Sequence, residues 1–165
     1  MKNFSFLLIF FFGLFAVNPA FSKKPDTPTG QPEVVIEGVT VEEVKTALKI
    51  GVIACRKKHI YVLVAETDSQ IVFDRELGWM ATAGYITAYG GLSGRRMIFT
   101  LVDMGGNVRV LTELYEVVNL NSPREKLISL NDRKKPLKAT QKLLETVKAD
   151  MESQGVTSDY YKICK

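Results

Sequence analysis

Cysteine and histidine are the side chains most often recruited as nucleophile, base or soft metal ligand, and this chain holds only two cysteines and one histidine. Two of the three share one hexapeptide, ACRKKH, in which Cys55 and His59 flank Arg56, Lys57 and Lys58. A catalytic thiol needs a thiolate stabilised by a neighbouring imidazolium, and a third group that orients the ring. The three cations favour a thiolate, but the placement opposes catalysis. Cys55 ends an apolar helical face and so points inward, whereas His59 lies beyond a solvated cationic turn. A zinc site would have to recruit carboxylates, and no ligand spacing provides them. Asp74 and Glu76 alternate on one strand face but carry no further mark of an acid and base pair. No catalytic residue, no metal ligand and no cofactor is expected.

The other cysteine, Cys164, stands next to the C-terminal residue, and its meaning depends on the compartment. Lys2, an apolar run over residues 6–17, then Asn18, Pro19 and the small residues Ala20 and Ser22 have the order of a secretory signal cleaved before Lys23. The run is about twelve residues, short of the roughly 20 that span a bilayer. No cysteine follows the cleavage point to carry a lipid. Residues 1–22 therefore read as a signal peptide, and the mature chain as soluble and exported to the periplasm or beyond. In an oxidising compartment the simplest fate of two cysteines is a disulfide between Cys55 and Cys164, with free thiols or an intermolecular bridge as the alternatives. The bridge would close a loop of about 110 residues, worth roughly 4 to 5 kcal/mol on the chain-entropy account.

Charge narrows the partners. Lys and Arg number 22 against 18 Asp and Glu, a formal charge of +4, and the signal segment takes Lys2 with it. A mildly basic exported chain suits an anionic membrane or cell-wall surface, and argues against nucleic acid. The clusters at residues 56–58, 95–96 and 133–135 could line up as such a patch, although charge runs are usually solvated faces.

The elements that position these residues follow from periodicity. Residues 23–33, KKPDTPTGQPE, are too rich in proline to bury a core and read as a flexible leader. A single α+β domain is expected over residues 34–165. Thr40 and Glu43 form a capping box, and Val41, Val44, Leu48, Val52 and Cys55 recur on one face of the helix it opens. IYVLVAE, the turn TDSQ and IVFDREL read as a hairpin. RRMIFTLVD and VRVLTELYEVV form a second, joined by MGGN, whose Gly105, Gly106 and Asn107 tolerate positive φ. Pro136 suits a first helical position, Leu137, Thr140, Leu144, Val147 and Met151 line one face, and Gly155 is placed to stop the helix. The pattern predicts a four-stranded antiparallel sheet of two hairpins with two helices packed on one face.

The stretches VEEVKTALKIGVIAC, SQIVFDREL and RRMIFTLVDMGGNVRVLTELYEVVNLNSPREK, with the closing helix, cover most of residues 40–153. In architecture and hydrophobic spacing they resemble small bacterial cell-envelope proteins, many of them lipoproteins, with a helix-grip domain. The resemblance implies the same order of helix, strands and helix and an envelope location. It brings no functional residues, and this chain lacks the anchoring cysteine of the lipoprotein members.

Function is best sought in residues 78–96, GWMATAGYITAYGGLSGRR, a long connection between the hairpins. Trp79, Tyr85, Tyr89, Arg95 and Arg96 are types favoured at protein and lipid interfaces, although tucking Trp79 and Tyr85 into the core would explain them equally well. Gly90, Gly91 and Gly94 do not form a dinucleotide fingerprint. Two functions are expected to compete. One is a non-enzymatic module that contacts another envelope protein or an anionic surface through this connection or the exposed side of the sheet. The other is a small carrier holding an apolar ligand between helices and sheet.

Overall fold

The computed structural model describes residues 27–54, 61–77 and 92–153. Along the chain run β1 (Glu33–Glu37), α1 (Val41–Ala54), β2 (Val62–Glu66), β3 (Gln70–Glu76), β4 (Ser93–Asp103), β5 (Asn107–Val118), β6 (Lys126–Ser129) and α2 (Lys134–Glu152). The α+β class agrees with the sequence, but the sheet has six strands, not four. Its order is β1-β5-β4-β3-β2, with β6 pairing the far end of β5, and every pairing is antiparallel.

The two unexpected strands are EVVIE and KLIS. Each is too short to show a period, and β1 is far from its partner in sequence, while β6 turns back on β5 through residues 119–125. β1 pairs residues 107–111 of β5, and β6 pairs residues 115–118 of the same strand. The first strand therefore begins at Glu33, the last residue of the expected leader. Upstream, Gly30 N–H bonds Thr27 C=O at 3.0 Å, and Thr112 N–H reaches back to Pro32 C=O, also at 3.0 Å.

Local chemistry explains the rest. Thr40 N–H donates to Glu43 Oε2 at 2.8 Å, and Glu43 N–H donates to Thr40 Oγ1 at 3.4 Å, so the capping box forms. At the 103–107 hairpin Gly105 and Gly106 have φ of +76° and +99°, and Met104 N–H bonds Asn107 C=O at 2.8 Å. α2 starts two residues before Pro136. Proline is tolerated there because the first four N–H groups of a helix have no intrahelical acceptor.

Strand alternation sends Ile71 and Phe73, Met97, Phe99 and Leu101, and Val108, Val110 and Leu114 to one face of the sheet. They share one buried cluster with Val44, Leu48 and Val52 of α1 and Leu137, Leu144 and Val147 of α2. Both helices thus cover the same face, and Phe73 and Phe99 meet edge to face, 6.0 Å between centroids. The other face keeps Val72, Asp74, Arg96, Ile98, Thr100, Val102, Arg109 and Glu113.

Candidate functional site

Arg95 and Arg96 are neighbours in sequence, but β4 sends them to opposite faces of the sheet. Arg96 lies on the open face, directly across from Asp74. Its Nε and Nη2 donate to the two Asp74 oxygens at 2.7 and 2.6 Å, and Nη1 donates to Glu125 at 2.8 Å. Those hydrogen bonds to Asp74 are the main reason that the Arg96 pKa is pushed above its already high ordinary range. Arg96 therefore ties the 119–125 turn to the sheet. Arg109 and Glu113 share a strand face four residues apart, but Arg109 pairs with Glu33 at 2.8 Å, while Glu113 accepts from the Tyr115 hydroxyl at 2.9 Å. Residues four apart along a strand stand about 13 Å apart, beyond the reach of an ion pair.

Arg95 points to the helix side, across from Arg75 on β3 and Glu116 on β5. Tyr61, just before β2, completes the row. The Arg75 guanidinium carbon sits 5.9 Å from the centroid of its ring, a cation and π contact. Tyr61, Arg95, Met97, Leu114 and Leu130 line a cleft of about 50 Å³ beside α2. Nothing in the spacing of Arg75 marked it out. Only the strand register brings it opposite Arg95.

The two edges of the sheet are finished differently. At β1 the outward backbone groups meet side chains of α2. Glu33 N–H donates to Gln141 Oε1 at 3.0 Å, and Gln141 Nε2 donates back to Glu33 C=O at 3.2 Å. Lys148 Nζ donates to Val35 C=O at 2.6 Å, and Glu37 N–H donates to Glu152 at 3.3 Å. At β2 no side chain among the described residues bonds the backbone of Val62–Glu66. All five residues are exposed, including Val62 at 57% and Val64 at 48%. Lys49 of α1 anchors the end of this strand through Glu66 at 2.7 Å, and a register shift between Leu63 and Ala65 marks a bulge.

Trp79, Tyr85, Tyr89, Cys55, His59 and Cys164 lie outside the described residues, so the expected disulfide and the aromatic part of the expected contact surface lie there too. β4 begins at Ser93, which places Arg95 and Arg96 in the sheet and not in the connection. Glycine suits position 94 of β4, because a Cβ there would stand 2.8 Å from the Arg75 carbonyl oxygen. Among the described residues no three His, Cys, Asp or Glu side chains are grouped to hold a metal ion. Among the same residues no helix is long and apolar enough to cross a membrane. In comparisons with known proteins, no family model, no curated protein and no solved structure matches the chain.

Proposed function

We propose that this chain is an exported, non-enzymatic module of the cell envelope that receives a short extended segment of another protein along β2. The observation that carries the reading is the contrast between the two sheet edges. An unpaired edge offers a row of N–H and C=O groups to any extended chain, and proteins usually blunt it with Lys, Pro, bulges or a covering helix. Here α2 covers β1, while β2 has the sequence VLVAE, with neither Lys nor Pro. The bulge at Val64 bends this edge and limits the added strand to a few residues. Backbone bonding would supply affinity, and the exposed Val62 and Val64 side chains would supply selectivity. The amino-terminal signal pattern supports export. A carrier has less support, since Leu48, Phe73, Phe99, Leu137 and Leu144, all wholly buried, fill the space between helices and sheet.

The test is site-specific photo-crosslinking in the native host, with the probe at Val62, at Val64 or at the exposed Lys142 on α2. A discrete adduct with another protein from the β2 positions only, abolished by Val64→Lys without loss of fold, supports the reading. Equal adducts from Lys142, persistence in Val64→Lys, or an adduct of twice the chain's own mass would sink it.

A further inference from the structure

Each arginine on the open face has a carboxylate: Arg96 has Asp74 and Glu125, and Arg109 has Glu33. The helix-side pair is different. Arg75 and Arg95 stand directly opposite each other on adjacent strands, which brings their Cβ atoms to about 5 Å, and like charges so placed repel. Among the described residues no carboxylate lies within ion-pair distance of either. Glu116, next in the row across from Arg95, balances at most one of the two charges and has an interaction of its own. Arg75 stacks on Tyr61, and a stacked guanidinium keeps its in-plane N–H groups available to donate.

We infer that Arg75 and Arg95 form a carboxylate-binding site for a small organic monocarboxylate, whose short apolar tail enters the cleft beside Tyr61. Two guanidinium forks suit a planar carboxylate, because each can donate parallel hydrogen bonds. A bound anion also cancels the repulsion of the unliganded pair. The tail must be short: at roughly 10–15 Å³ for each water-sized centre, a cleft of about 50 Å³ takes only a few heavy atoms. Met97, Leu114, Leu130 and the Tyr61 ring supply its apolar wall, beside the polar Thr140. The Arg75 and Arg95 side chains leave the sheet on the opposite face from those of Asp74 and Arg96, and the site does not depend on what pairs along β2.

The experiment is an NMR titration of the full chain with butyrate, with butanol and with inorganic phosphate. Butyrate is expected to shift the amides of Arg75, Arg95 and Leu114 at millimolar concentration, with butanol and phosphate each at least tenfold weaker. Arg75→Gln and Arg95→Gln are each expected to weaken butyrate at least tenfold. Ala139→Leu, which fills the cleft and leaves both charges, is expected to do the same. Arg95→Gln should also raise the melting temperature of the free protein, since it removes a repulsion, whereas Lys142→Gln should change neither property. Butanol or phosphate binding as tightly as butyrate, or undiminished butyrate affinity in Arg75→Gln and Arg95→Gln, overturns the inference.

Discussion

Asp74 and Arg96 face each other across β3 and β4 and close two parallel hydrogen bonds of 2.7 and 2.6 Å, with only 9% and 19% of their side chains exposed. A pair this sheltered is worth little against two apolar residues, but removing one member strands the other. Asp74→Leu is therefore expected to cost about 2 kcal/mol, discounted from the buried-pair value for residual exposure and the remaining Glu125 contact. Thermal unfolding should show a drop of roughly 5 to 8 °C. Asp74→Leu combined with Arg96→Met should recover most of that loss. If the double variant is no more stable than Asp74→Leu alone, the pair is not the cause.

Gln141 acts on β1 as a missing strand would, accepting from Glu33 N–H and donating to Glu33 C=O. Gln141→Ala removes both bonds and leaves the two backbone groups to whatever water can reach them. The expected loss is about 1 to 2 kcal/mol, read by urea unfolding, with faster hydrogen exchange at Glu33. Lys142→Ala, one residue along the same helix but exposed, should change neither quantity.

Glu43 sets a pH dependence at the start of α1. Its carboxylate accepts from the Thr40 backbone N–H and then from the Thr40 hydroxyl, and these bonds hold its pKa below the ordinary 4.5, the backbone bond contributing most. A folded-state pKa below the unfolded one means the contribution is present above about 4.5 and lost as pH falls through the folded value. The stability difference between wild type and Glu43→Ala should therefore be largest near neutrality and close in acid. In an NMR titration the Thr40 amide should move over that same acid range. A difference that persists unchanged into acid would locate the effect of Glu43→Ala elsewhere.

How much of this was legible depends on the range of the interaction that fixes each part. The capping box, the glycine turn at 104–107 and the buried stripe of α2 are set within four residues along the chain, and all three formed as the sequence implied. β1 is set by pairing with β5, far away in sequence, and β6 by a return across the 119–125 turn, and four or five residues give no period to read in either. Arg95 and Arg96 illustrate the limit at a candidate site. Their type suggested binding, but only alternation along β4 and register with β3 separates a guanidinium committed to Asp74 from one left opposite Arg75. The exposed edge at β2 was also hidden, because IYVLVAE looks the same in the middle of a sheet as at its rim.

The pairing of β1 with β5 bears on how the molecule assembles. The first strand made is the last whose neighbours exist: Val34 must wait for Val110, and the Gln141 and Lys148 that finish its outer edge come later still. Contacts between residues so distant in sequence raise the loop-closure cost of the folding nucleus and slow folding relative to a chain of local hairpins. The β2–β3 and β4–β5 hairpins can form early from short turns, leaving Val108 and Val110 partly uncovered until the amino-terminal strand and the carboxy-terminal helix arrive together. A nascent chain held unfolded until residue 152 is available would avoid that half-built sheet.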